Sequence, residues 1–372
     1  MGFGSGDPQA VMREFLHQVG GCAVIDGGLA TELEANGADL NDPLWSAKCL
    51  IGSPHLIRKV HLDYLEAGAH VIITSSYQQA TIQGFKSRGF SQEESEDLLR
   101  RSVQIAREAR DIFYNDCLRG YGGQSDIKKH TVLVAASIGS YGAYLADGSE
   151  YSGHYGKDMT IENLKDFHRR RLEVLAEGGA DLIVFETIPN KLEAQVVIFW
   201  FLHCNSFVLH VYTFLYGPLE MQPQFAYAEL LEEDNISIPA WFSFNSKDGV
   251  NVVSGDSLTE CVSIADSCKK VVAVGINCTS PRFIHGLILS IKKVTKKPIL
   301  IYPNSGERYD ADKKEWVEST GVTDEDFVSY VQVWHEAGAC LIGGCCRTTP
   351  NTIRGISLAL QKEHAIPRES VP

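Results

Sequence analysis

Short apolar runs rich in β-branched residues recur along the chain, each closing on small or polar residues, and eight of them read as strands: 22–28, 70–77, 131–139, 181–188, 239–246, 271–278, 298–306 and 340–346. The runs are almost continuously apolar instead of alternating, which suits strands covered on both faces, as in a parallel sheet. Between them lie stretches with helical start signals. Ser53-Pro54, Ser280-Pro281 and Thr349-Pro350 each place an N-cap residue before a proline at the first helical position. Ser91 with Glu94 reads as a capping box, and Leu98, Ile105, Ala109 and Ile112 follow at helical spacing. Three helix-to-strand junctions nearly repeat one another, at 66–69, 177–180 and 336–339, each holding a glycine able to take the left-handed conformation that ends a helix. Eight strands alternating with helices predict a single (β/α)8 TIM barrel over the whole chain, 1–372. A doubly wound open sheet is the alternative, disfavoured because no strand leads into a G-x-G-x-x-G turn.

One stretch breaks the pattern. The 22 residues 196–217 carry no charge and fall inside what should be the crossover helix between the fourth and fifth strands. A bilayer span needs about 20 apolar residues. His203, Asn205, Ser206 and His210 weaken that reading, and no Lys or Arg cluster flanks the segment. The expectation is an apolar insertion, 196–225, within the barrel.

Composition narrows the function. The formal charge is −13, which argues against nonspecific binding to nucleic acid or anionic membranes. Ten cysteines do not form the dense, regular set of a small secreted scaffold, and the first ten residues do not resemble a secretory signal. A reduced cytoplasmic protein is expected, in which clustered cysteines are more often metal ligands or catalytic groups than disulfides.

In a barrel of this kind the active site stands at the C-terminal ends of the strands. Asn277-Cys278 ends the sixth run, and Gly343-Gly344-Cys345-Cys346 ends the eighth. Three thiolates with one open position are the ligand pattern of catalytic zinc; structural sites close with four protein ligands. Both cysteine sites precede a helix start, where the N-terminal dipole favours thiolate. A lone Cys278 would more often be core packing. The adjacent pair Cys345-Cys346 weakens that reading, because neighbouring side chains on a strand face opposite ways, and vicinal cysteines make strained disulfides. Asp26 and Glu186, at the ends of the first and fourth strands, are carboxylates that suit an ammonium group, with a salt bridge or capping role as the alternative. Tyr77, Tyr141 and Tyr144 could face a sulfonium through cation–π attraction or simply pack in the core. Arg169-Arg170-Arg171 is expected on a solvated helix face.

The segments Asp26-Gly27-Gly28, Gly275-Ile276-Asn277-Cys278 and Gly343-Gly344-Cys345-Cys346-Arg347-Thr348-Thr349-Pro350 resemble those of the homocysteine S-methyltransferase family, and residues 138–151 and 302–307 look closest to its plant branch. The resemblance implies a (β/α)8 barrel with Zn2+ on Cys278, Cys345 and Cys346. It implies that Asp26 and Glu186 hold the amino-acid end of homocysteine, with Tyr77 and Asn304 as further substrate contacts and no catalytic group beyond thiolate activation by zinc. The expected methyl donor is S-methylmethionine, with S-adenosylmethionine as a second donor, and the product is methionine. Selenocysteine as acceptor, and a catalytically impaired zinc-binding barrel, are the alternatives. Two departures from the family pattern stand out: Gln78-Gln79 in place of one glutamine after Tyr77, and the 196–225 segment, beyond which Ala228-Glu229-Leu230-Leu231 would continue the helix that begins near Glu193.

Overall fold

The computed structural model describes residues 7–120, 131–202, 238–310, 315–317 and 321–365. Eight strands are parallel and sit in the order β1, β10, β7, β6, β5, β4, β3, β2, where β1 is Ala23–Val24, β2 Val71–Ile73, β3 Leu133–Gly139, β4 Leu182–Ile188, β5 Ala240–Phe244, β6 Val271–Asn277, β7 Ile299–Tyr302 and β10 Ala339–Ile342. A parallel bridge between Ile25 and Val71 joins β1 to β2, supported by amide bonds from His70 to the Val24 carbonyl and from Asp26 to the Val71 carbonyl. The sheet therefore closes on itself, as the alternation predicts; seven expected runs contain their strands, and the eighth strand begins at Ala339, one residue before its run. Two further strands, β8 (Arg308–Asp310) and β9 (Glu315–Val317), form an antiparallel pair in the connection after β7; they fall outside the eightfold pattern.

Helices pack on the outside in sequence: α2 Leu29–Ala35, α4 Pro54–Glu66, α6 Gln92–Gly120, α9 Ile161–Glu177, α10 Lys191–Leu202, α11 Leu258–Ser267, α12 Pro281–Ile291, α13 Asp324–Ala337 and α14 Pro350–Ala365. Shorter helices α3 (Lys48–Gly52), α5 (Ile82–Lys86), α7 (Tyr141–Leu145) and α8 (Ser149–Ser152) lie in the connections. The start signals hold at Pro54, Pro281 and Pro350, although the Ser53 and Ser280 side chains make no capping bond there. At Ser91 the capping box is complete: its amide donates to Glu94 and its hydroxyl accepts from the Glu94 amide. Gly68, Gly179 and Gly338 take φ of 103°, 85° and 122° where the three junctions predict the left-handed turn.

Helix α1, Pro8–Gln18, is a finding that the polar opening of the chain did not announce. Asp7 caps it and proline stands at its first position. Met12, Phe15 and Leu16, spaced three and four apart, are buried among inward residues of the strands, and the Gln9 side-chain amide donates to the Val271 carbonyl at 2.6 Å. This helix stoppers the N-terminal end of the barrel.

Two apolar layers result, one between sheet and helices and one inside the barrel. Inside, the character changes along each strand. Leu133 and Ala135, Leu182 and Val184, and Trp241 fill the lower barrel, and the next inward positions by alternation are Ser137, Glu186 and Ser243. The interior is thus apolar at the end closed by α1 and polar at the end where the strands finish.

Helix α10 continues from Lys191 to Leu202, with Ala194 and Val196 buried. The expected insertion lies outside the described residues from 203 onward. None of the described helices is long and apolar enough to cross a membrane. The arginine run is corrected in one respect: Arg171 is buried against α9's own barrel face, donating to the Gly139 carbonyl and to His168, while Arg170 pairs with Glu96 and Glu173. Helical spacing turns the third residue of that run inward while its neighbours stay at the surface.

Candidate active site and metal centre

The glycines of the three motifs exist because backbones cross at the barrel mouth. A Cβ on Gly275 would collide with the Leu300 carbonyl, one on Gly343 with Ile25, and one on Gly344 with the Thr348 side chain. The amide of Gly344 donates to the Asp26 carbonyl at 3.0 Å and that of Cys345 to the Pro303 carbonyl at 2.8 Å. The ends of β1, β7 and β10 are so drawn together that Cys345 and Cys346 emerge beside Cys278. The Cys278–Cys346 sulfurs are 3.8 Å apart and the Cys345–Cys346 sulfurs 3.9 Å. All three sulfurs lie within 4.8 Å of one another, the only group of three or more potential metal-ligating side chains found among the described residues.

Local backbone strain serves this convergence. Cys278 has φ 47°, Arg347 64° and Thr187 56°, left-handed values that cost non-glycine residues about 1–3 kcal/mol each. Asn277 holds the Thr187 turn by accepting from its amide at 2.9 Å and donating to its hydroxyl at 2.7 Å. The asparagine before Cys278 is therefore a brace across the barrel.

As thiols, the three cysteines sit well above their ordinary pKa. For Cys345 the hydrogen bond to Cys278 raises it most, that to Cys346 opposes, and burial adds to the rise. Cys278 and Cys346 also shift upward, their mutual hydrogen bonds acting in both directions and burial raising both. Sulfur crowding and burial are the causes of this rise. Three converging thiols, Cys278 buried and Cys345 and Cys346 partly exposed, with no disulfide among them, are soft donors suited to a soft or borderline cation. The donor set fits a metal ion.

Asp26 is buried and accepts from the Ile73 amide at 2.8 Å. Its pKa is raised well above the usual carboxylate range, first by burial and also by the nearby Glu186 charge. Glu186 is the topmost inward residue of β4. Ser137 and Tyr302 hydrogen-bond its carboxyl, and burial pushes it up to about 7. Tyr302 in turn meets Ser243 at 2.6 Å. Cys345 is the cysteine on which the Glu186 charge acts. Among the described residues no ion pair includes Asp26, Glu186 or Glu150.

Tyr77 lies across the mouth, its ring in the space that Gly139 leaves vacant; its hydroxyl donates to Glu150 at 3.4 Å. Tyr141 and Tyr144 instead pack on Phe167, at ring separations of 5.0 and 5.2 Å. Asn304 sits in the loop after β7 that is bonded to Cys345 and Cys346, with its Oδ1 accepting from the Gly306 amide. The doubled glutamine is accommodated by a left-handed turn at Gln78, φ 52°, while the Gln79 side chain donates to the Tyr144 carbonyl.

Several residues of the mouth were given no role from sequence: Glu150 and Tyr151 on α8, Ser137 and Tyr302 at strand ends, and the buried set around Glu193. The Glu193 carboxylate takes the Tyr141 amide at 2.6 Å, His168 at 2.7 Å and the Tyr155 hydroxyl, fastening the loop that carries α7 and α8 to the first turn of α10. An apolar-run search cannot find these; a scan for acids within otherwise apolar helices would have raised Glu193.

A family model described as homocysteine S-methyltransferase matches residues 23–360. A Zea mays protein named homocysteine S-methyltransferase 2 is 66% identical over 358 residues, covering 96% of this chain and 95% of its own. A Brassica oleracea selenocysteine Se-methyltransferase is 62% identical over 355 residues, covering 95% of this chain and 93% of its own. The solved metallated form of the Escherichia coli homocysteine methyltransferase MmuM superimposes with a TM-score of 0.72 at 35% identity, covering 95% of this chain and 99% of that one. On the thiol cluster, the mouth acids and these matches together, the chain is a methyltransferase and belongs to the homocysteine S-methyltransferase family.

Proposed function

We propose that this protein transfers a methyl group from S-methylmethionine to the sulfur of homocysteine, with Zn2+ held by Cys278, Cys345 and Cys346. The observation that carries the reading is the position of Glu186 and Asp26: two buried acids with no ion pair among the described residues, beside the three converging thiols. Homocysteine has a sulfur for the metal side and an ammonium for the acids. A zinc ion bound there supplies Lewis acidity that deprotonates a coordinating thiol, whose free pKa is about 8.5.

The chain's own residues then bind and orient. Ser137 and Tyr302 fix the Glu186 carboxyl, and the Ile73 amide fixes Asp26, so both acids meet the ammonium without reorganising. Tyr77 closes the mouth and presents a ring to the sulfonium. The sulfur lone pair of homocysteine forms the new S–CH3 bond while the donor's S–CH3 pair returns to its own sulfur, leaving two neutral thioethers. Charge is lost on the way to products, so a dry, low-polarity mouth favours the transition state. S-adenosylmethionine is the second donor to be compared. A second acceptor, selenocysteine, is favoured by the relatives so named at 62% identity; it asks nothing different of the thiol cluster.

The test is methionine formation from homocysteine and S-methylmethionine by purified protein, with and without added zinc, alongside metal analysis. Zinc-dependent product supports the reading. Bound zinc with no product from either acceptor would leave a zinc-binding barrel without this activity.

A further inference from the structure

The two acids assigned to homocysteine leave a third unexplained. Glu150, on α8, is buried at 7% exposure, and among the described residues it has no cationic partner. Its carboxylate accepts from Tyr77 and Tyr151, and the Tyr151 hydroxyl lies 3.8 Å from the Cys278 sulfur. Among the three cysteines the Glu150 charge acts on Cys278 and Cys346, and the Glu186 charge acts on Cys345. Asn245, one residue past the end of β5 and next in the alternation after Trp241 and Ser243, joins Glu150. Its amide nitrogen donates to the Glu150 carbonyl at 2.8 Å, which leaves Oδ1 buried and without a partner among the described residues.

Resting on the methyl-transfer reading above, we propose that Glu150 and the Asn245 Oδ1 form a second ammonium subsite, which holds the α-amino end of the methyl donor. The argument is one of donors and acceptors. A sulfonium carries no N–H, so it satisfies neither an orphaned amide oxygen nor a carboxylate that wants hydrogen bonds. An ammonium has three N–H donors and a charge, which suits both. The phenols of Tyr77 and Tyr151, between Glu150 and Cys278, then lie where the donor's sulfonium must pass toward the acceptor sulfur. The subsite is rigidly built: Gly142 leaves room for the Glu150 backbone, and the loop is held by Glu193 and by Asn190, which donates to the Gly153 carbonyl at 3.1 Å. The donor class is thereby an amino-acid sulfonium, recognised at both its charged ends.

The test compares S-methylmethionine with its des-amino analogue, which keeps the dimethylsulfonium and the carboxylate but lacks the amine, using homocysteine as acceptor and the full-length zinc-loaded protein. The wild type should prefer the amine-bearing donor by about 10- to 100-fold in kcat/KM, the range for losing a hydrogen-bonded charge contact. Glu150→Gln should lower kcat/KM for S-methylmethionine by a similar factor and for the des-amino donor by less than about threefold, with the homocysteine KM and zinc content unmoved. Equal use of the two donors by the wild type overturns the subsite even if Glu150→Gln fails to fold. A rise in homocysteine KM alone in Glu150→Gln also overturns it, placing Glu150 with the acceptor. Absence of methionine from either donor in the wild type overturns both this subsite and the function on which it rests.

Discussion

Glu186 shows at the scale of one residue how a binding site strains its own protein. Burial pushes its carboxyl up to about 7 from an ordinary 4.5. Between those values the folded chain holds more protons than the unfolded one, so stability falls as pH rises through the window and the loss is complete above it. Glu186→Gln should remove that loss. At pH 8 without substrate its thermal midpoint should rise, by roughly 2–4 °C for each kcal/mol recovered, while the homocysteine KM increases and zinc content stays. Calorimetry and steady-state kinetics check the two halves; an unchanged KM would return Glu186 to a structural role. The cysteines give the second prediction at this scale. Replacing any one of Cys278, Cys345 or Cys346 by Ser should abolish both bound zinc, about one ion per chain in the parent, and methionine formation. With sulfurs 3.8 and 3.9 Å apart, mild oxidation should inactivate metal-stripped protein faster than zinc-loaded protein, because coordination masks the reactive sulfur. Equal rates would count against ligation by these thiols.

At the scale of elements, α1 and α10 carry opposite lessons. The α1 helix contributes Met12, Phe15 and Leu16 to the barrel interior, each worth about 1.5–3 kcal/mol on burial. Phe15→Ala should cost about 3–5 kcal/mol, read as a lower denaturation midpoint, with kcat per folded molecule little changed because the thiol cluster stands at the far end of the barrel. In α10 the first turn is indispensable, since Glu193 and Asn190 hold the loop bearing Glu150. Past Leu202 the chain lies outside the described residues. Deleting 196–225, which joins Gln195 to the stretch before Ala228, should raise soluble yield and activity if the apolar run exposes a patch of more than a few hundred Å2. Val196 is itself buried, so the replacement junction must supply an apolar residue there. A deleted form that is less soluble and less active would make the segment a working part of the fold.

Across the whole molecule, the chemistry is confined to one end of a barrel whose lower interior and outer layer are apolar. Metal removal should therefore abolish activity without unfolding the chain. Chelated protein should keep its far-UV circular dichroism and lose only the part of its thermal midpoint that linkage to bound metal confers. Unfolding on chelation would instead make the centre structural, like that of small zinc domains that have no core of their own. The formal charge of −13 does not oppose binding of a cationic donor, and its screening by salt should alter the rate of donor capture more than turnover.

Sequence by itself determined the frame: the eight runs 22–28 to 340–346 each overlap a barrel strand, the Gly68, Gly179 and Gly338 junctions turn as their residue types require, and Cys278, Cys345 and Cys346 stand at strand ends. These features are local, written in apolar runs, caps and glycines whose physics needs only near neighbours. What the tertiary structure decided is which distant residues share one point. The brace of Asn277 on Thr187 spans 90 positions, the tie of Asn245 to Glu150 spans 95, and Ser137, Glu186, Tyr302 and Ser243 meet only because four inward alternations finish at one level. Arg171 reads as surface in a run of three arginines and is buried because helical spacing turns it toward Gly139. The thiols' upward shift has the same origin, since burial and sulfur proximity exist only after the barrel closes.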